Sequence, residues 1–139
     1  MMEAISAVDI ALSGLKAQRA RMNVIANNIA NAFSTRTPNG GAYRRQMVVF
    51  RGEQLTPTVD PSKYGVRVKR IATDMSPLRT VYRPGHPDAN ADGYVQYPNV
   101  DLAVEMVDLV SAQRAYEANV SVVVSHKRMI QNALEIIRA

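Results

Sequence analysis

The sequence contains no cysteine and no tryptophan, and only two histidines. Without cysteine it has neither a disulfide framework nor a thiolate metal site. His86 and His126 lie far apart, no spacing suggests a nucleophile–base pair, and no glycine-rich phosphate loop is present. The residues therefore predict a protein that is not an enzyme, with no catalytic residue, no cofactor and no metal. Aromatic residues make up 6% of the chain, and the tyrosines form no base-stacking platform. No nucleic acid is expected as a partner. No apolar run approaches the roughly 20 residues of a membrane span. The opening "MMEAISAVDIALSGL" holds Glu3 and Asp9 and has no basic n-region. If the protein leaves the cytoplasm, it is expected to do so without a cleaved signal peptide.

What is present is unevenly spread. The net charge is +5. Residues 1–33 hold three basic and two acidic side chains, and 101–139 hold four and five. Residues 34–100 hold ten basic and five acidic, so the middle carries the basic character. All seven prolines and six of the seven glycines also lie in that middle.

Both ends carry a helical grammar. Near the start, Ile5, Val8, Leu12, Leu15, Met22, Ala26 and Ile29 recur at spacings of three and four, with Arg19 breaking one position. Near the end, Leu102, Met106, Leu109, Gln113, Tyr116, Val120, Val123, Lys127, Ile130, Leu134 and Ile137 do the same. Asp101, Glu105 and Asp108 sit at the start of that segment and Lys127, Arg128 and Arg138 at its end, as the helix dipole favours. Pro98 and Asn99 mark a helix start, and the helix would be roughly 57 Å long.

The expected fold is mainly α with a small β region. Long N- and C-terminal helices pair as an antiparallel coiled coil, and a short-stranded β segment is inserted between them. Residues 1–33 and 100–139 would form the coiled-coil domain, and residues 34–99 a small β-rich domain. Within the latter, "AYRRQMVVF" (42–50), "YGVRVKRIA" (64–72), "LRTVY" (78–82) and "GYVQY" (93–97) read as strands. The expected intrachain seam is Ile5, Val8, Leu12, Leu15, Met22, Ile29, Leu102, Met106, Leu109, Tyr116, Val120, Val123, Ile130, Leu134 and Ile137. Ala112, Ala115, Ala118, Val122 and Val124 would then lie on the outer face of the second helix.

Two motifs point to ligands. "DANADGY" (88–94) matches the start of a calcium loop, but Asn99 stands where a bidentate glutamate belongs and Pro84 and Pro87 forbid the preceding helix. A tight Asx turn is the simpler reading. The pairs in "RR" (44–45) and "RVKR" (67–70) suit either a solvated, edge-protecting face or contact with an acidic neighbour.

"NVIANNIANAFST" (23–35), "GGAYRRQMVVF" (40–50) and "VYRPGHPDANADGYVQYPNVDLAVEMVDLVSAQRAYEANVSVV" (81–123) resemble the bacterial flagellar rod and hook proteins, nearest to the proximal-rod branch. The resemblance covers nearly the whole chain, with 51–63 the least family-like part. It implies a structural axial subunit that assembles helically into the hollow proximal rod and transmits torque from motor to hook. It implies export by the flagellar type III apparatus and a place in the basal-body rod, across the periplasm. Expected partners are other copies of the chain, other rod proteins, the export apparatus and basal-body ring components. In such an assembly the asparagines of the first helix would meet neighbouring chains, because amides can be buried without charge. Asn23, Asn27, Asn28, Asn31, Arg44 and Arg45 are the expected intersubunit contacts. The competing reading is a soluble antiparallel coiled-coil adaptor or chaperone that forms no filament.

Overall fold

The computed structural model describes residues 7–55 and 63–139. Two helices flank four short strands. Helix α1 spans Ala7–Ala30, followed by β1 (Gln46–Gln54), β2 (Tyr64–Thr73), β3 (Arg79–Tyr82), β4 (Tyr94–Tyr97) and helix α2 (Leu102–Arg138). The molecule is mainly helical with a β region made of two antiparallel two-stranded sheets, β1–β2 and β3–β4. All four expected strands are present within a few residues of their expected bounds. No described helix is long and apolar enough to cross a membrane.

Local chemistry sets the ends of the helices. Asp101 caps α2: its carboxylate accepts from the amides of Ala103 at 2.9 Å and Val104 at 3.4 Å. At the end of α1, Asn31 turns its amide back to donate to the carbonyl of Asn27 at 2.9 Å. Its Oδ1 accepts from the Ser34 hydroxyl at 3.1 Å. The chain then reverses through Gly40 and Gly41, whose φ angles of 84° and 74° suit glycine.

Three contacts relate the helices. Gly14 lies against the Asn119 side chain, Arg21 pairs with Asp108 at 3.8 Å, and Asn28 bonds Glu105. Small residues are among the most deeply buried of the two helices: Ala11, Gly14 and Ala17 on α1 and Ala112 on α2. Ser13 ties α1 to the sheet by accepting from the Val66 amide at 3.1 Å while donating to the Ile10 carbonyl at 2.6 Å.

The most deeply buried helix residues are not the large ones of the expected heptad. Val8, Leu15, Met22, Ile29, Leu102, Leu109, Tyr116 and Val123 are half-buried. Leu12, Met106, Val120, Ile130, Leu134 and Ile137 are exposed, Ile137 by 80%. Ile5 lies outside the described residues. Ala112, expected on the outer face, is fully buried. At Gly14 the second helix comes close: an added Cβ would meet the Asn119 side chain at 2.9 Å. From Lys127 onward every residue of α2 is exposed.

Candidate functional site

Two polar side chains are buried as deeply as any apolar one: Glu105 is 0% exposed and Asn28 1%. They meet where the end of α1, the start of α2 and the approach to β1 converge. The Asn28 amide donates to Glu105 Oε2 at 3.0 Å and to the Gln46 carbonyl at 2.8 Å. Its Oδ1 accepts from the Tyr43 hydroxyl and from the Gln46 amide, both at 2.9 Å. Two donors and two acceptor sites is the full capacity of a primary amide. No other side chain of this size supplies both at once, so an asparagine stands here despite its poor helix propensity.

Arg45 completes the knot. Its Nε donates to Glu105 Oε1 at 2.5 Å, with Asp108 at 3.5 Å and Asp74 at 3.8 Å from its terminal nitrogens. Burial acts to lower the Arg45 pKa but is outweighed by the Glu105 hydrogen bond and charge, then by Asp108 and Asp74, so the net direction is up. Burial, and then the Glu105 charge, push the Tyr43 phenol up. Asn99 fixes the backbone around the arginine. It accepts from the Arg45 amide at 2.8 Å and donates to the carbonyls of Asp74 and Ser76 at 3.1 and 3.2 Å. Hydrogen bonds from the Ser76 hydroxyl and amide hold the Asp74 carboxyl below the usual carboxylate range.

A smaller clamp joins the loop before β4 to the segment after α1. Asp88 accepts from the Thr35 hydroxyl at 2.8 Å and pairs with Arg36 at 2.5 Å. The Thr35 hydrogen bond lowers its pKa, against a weaker effect of burial, and Arg36 adds to the lowering. In the calcium-like stretch, Asn90 Oδ1 accepts from the amides of Asp92 and Tyr94 at 3.0 and 2.8 Å. That is an Asx turn, with Gly93 at φ 82°. Among the described residues no group of three or more His, Cys, Asp or Glu side chains is placed to hold a metal.

The expected intersubunit residues divide. Asn28 and Arg45 bond within their own chain, at the junction that holds the buried Glu105 carboxylate. Asn31 and Arg44 are half-buried, and Arg44 donates to the Ser76 carbonyl at 3.1 Å. Asn23 and Asn27 are exposed. Sequence reasoning read Glu105 only as a favourable charge near a helix start. Its signal was one acidic residue in line with the buried stripe, four residues after a capping aspartate.

Residues 9–36 match the family model described as flagella basal body rod protein, and residues 91–136 that of the flagellar basal body rod FlgEFG protein C-terminal region. The flagellar basal-body rod protein FlgC of Borreliella burgdorferi is 46% identical, over 96% of this chain and 97% of its own length. The chain belongs to the FlgC family of flagellar basal-body rod proteins. FlgC of Bacillus subtilis is 44% identical over 97% of this chain and 99% of its own length. FlgC of Salmonella typhimurium is 42% identical over 97% and 98%. As a FlgC-family member the chain is a structural subunit of the flagellar basal-body rod and serves motility. The adaptor or chaperone reading gains no support. The two matched segments contain Asn28, Asn99, Glu105 and Asp108, whereas Tyr43 and Arg45 come from the stretch between them.

Proposed function

We propose that α1 and α2 pair as an antiparallel coiled coil in the inner layer of a helical, hollow proximal rod. Residues 1–33 and 100–139 make up that layer, and residues 34–99 form an outer domain held to it by the Glu105 knot. The contacts of Gly14 with Asn119, Arg21 with Asp108 and Asn28 with Glu105 favour opposed helix directions, since residues rise along α1 as they fall along α2. The observation that carries assembly is the apolar surface left bare. Val107, Met129, Ile130, Leu134, Ile136 and Ile137 are each at least half exposed on one helix, more than a lone soluble subunit tolerates. Neighbouring copies and other rod proteins cover that surface, with Asn23 and Asn27 among the contacts. The subunit passes torque along the rod, after export through the flagellar apparatus without signal cleavage and insertion inside the basal-body rings.

The absence of native cysteine makes the test clean. Single cysteines replace Asn23, Ile130 and, on the sheet, Arg51, and isolated basal bodies are treated with a short bismaleimide. The helix positions should give products linking two chains, and the sheet position few. Products from Arg51→Cys alone would reverse the inner and outer assignment. A chain absent from the basal bodies would overturn the rod reading itself.

A further inference from the structure

The β1–β2 sheet carries a cluster of exposed cations. Phe50 pairs with Val68 and both are half-buried, while Gly65, opposite Glu53, is buried against Ser13 of α1. The register sets Arg51 directly opposite Arg67 and Val49 opposite Arg70. Residues directly opposite share a face, and residues two apart on one strand do too. Arg51, Arg67 and Arg70 therefore stand on one side of the sheet. Lys69 has no partner in the register, where the strand shifts, and stands at its margin. All four are exposed. Like charges set directly opposite each other weaken a strand pair. Glu53 relieves one of them, at 3.2 Å from Arg67. Among the described residues no carboxylate pairs with Arg51, Lys69 or Arg70.

We propose that this side of the β1–β2 sheet docks a carboxylate-rich surface of a different protein chain. Three guanidinium groups lie within a patch about 10 Å long at roughly 3.3 Å per residue, and a guanidinium fork matches a carboxylate with two parallel hydrogen bonds. A second copy does not supply the partner. The exposed carboxylates of this chain outside the sheet are scattered, with Glu117 and Glu135 about 27 Å apart along α2. Nucleic acid fits poorly, because the register places Met47, Val49, Glu53 and Ala72 beside the cations and no aromatic ring for a base to stack on. The proposal goes beyond the helix-pair reading and does not depend on how the helices pack in the rod.

The test uses the full chain and fluorescent poly-L-glutamate, followed by anisotropy at low salt. A sheet variant, Arg51→Gln, Arg67→Gln, Lys69→Gln and Arg70→Gln, is compared with a helix variant, Arg19→Gln, Arg114→Gln, Lys127→Gln and Arg128→Gln. Both lose the same charge from exposed positions. The sheet variant should bind about tenfold more weakly or worse, and the helix variant within about threefold of the parent. Equal losses would reduce the effect to net charge and overturn the proposal. So would binding of phosphatidylglycerol vesicles that depends on the same four residues while poly-L-glutamate binding does not, which would assign the face to a membrane surface. Should the sheet variant fail to fold, Arg51→Lys with Arg67→Lys and Arg70→Lys carries the test. It keeps the charge and loses the fork, and should bind about threefold more weakly; undiminished affinity would overturn the proposal.

Discussion

Asn27 and Asn28 are neighbours on one helix, yet alanine should act on them with opposite signs. At Asn28 the change removes four hydrogen bonds at 2.8–3.0 Å. It leaves a fully buried Glu105 oxygen and the Gln46 amide and carbonyl each short of a partner. The half-buried Tyr43 hydroxyl can turn to water. Each buried group left unpaired costs about 1–3 kcal/mol, while alanine returns up to ~0.7 kcal/mol of helix propensity. The net loss should be about 2–8 kcal/mol, a large share of the roughly 5–15 kcal/mol that holds a typical domain together. Asn27 is exposed and its side chain makes no such bonds. Asn27→Ala should therefore leave the subunit unchanged or stabilise it by up to ~0.7 kcal/mol. Urea unfolding of the purified chains, followed by far-UV circular dichroism, measures both. A loss below about 1 kcal/mol for Asn28→Ala would refute the view that this amide organises the junction.

Arg45→Met should cost about 3–5 kcal/mol in the same assay, because it strands the Glu105 carboxylate, and Glu105→Leu added to it should recover part of the loss. Gly14→Leu should cost about 1–3 kcal/mol, since even a Cβ there would meet the Asn119 amide at 2.9 Å; an unchanged midpoint would mean the helices are free to part. Asp74 and Asp88 have folded pKa values below the unfolded value of about 3.9. Their stabilisation is full above that value and is lost as pH falls through the folded values, so Asp88→Asn should flatten the acid limb of a stability–pH curve. Tyr43 runs the other way. Its folded pKa is raised, so its contribution holds below about pH 10 and fades as pH rises through the folded value, and Tyr43→Phe should remove that alkaline slope.

Much of the architecture was legible in the sequence, because proline, glycine and alternating strands are local signals. The helices and all four strands appear within a few residues of where those signals put them. Which helix residues are buried most deeply was less legible. Heptad reasoning follows the large side chains, whereas the deepest burial falls on small residues such as Ala11, Gly14, Ala17 and Ala112. The asparagines show the same limit. Their concentration announced a polar role but not which of them was satisfied within the chain. Asn31 turns back to end its own helix, and Asn28 is enclosed only because Tyr43, Arg45 and Glu105 arrive from far along the sequence. A long-range polar knot has no local pattern, since each member looks like an ordinary surface residue until the others are in place.

The knot also decides how the subunit responds to force. The start of α2 is anchored by its cap and by Glu105, while its last dozen residues, about 18 Å of helix, are supported by nothing buried. In mechanical terms this is a cantilever, whose deflection under a given load rises steeply with its unsupported length. A twist applied to the sheets meets the anchored end first. It must pull Arg45 off Glu105 before the sheets can pivot, so the twist is passed on rather than absorbed. The free end is compliant and can bend to seat against neighbours that are not identical to one another. One subunit thus combines a stiff joint at the start of α2 with a compliant tip at its end.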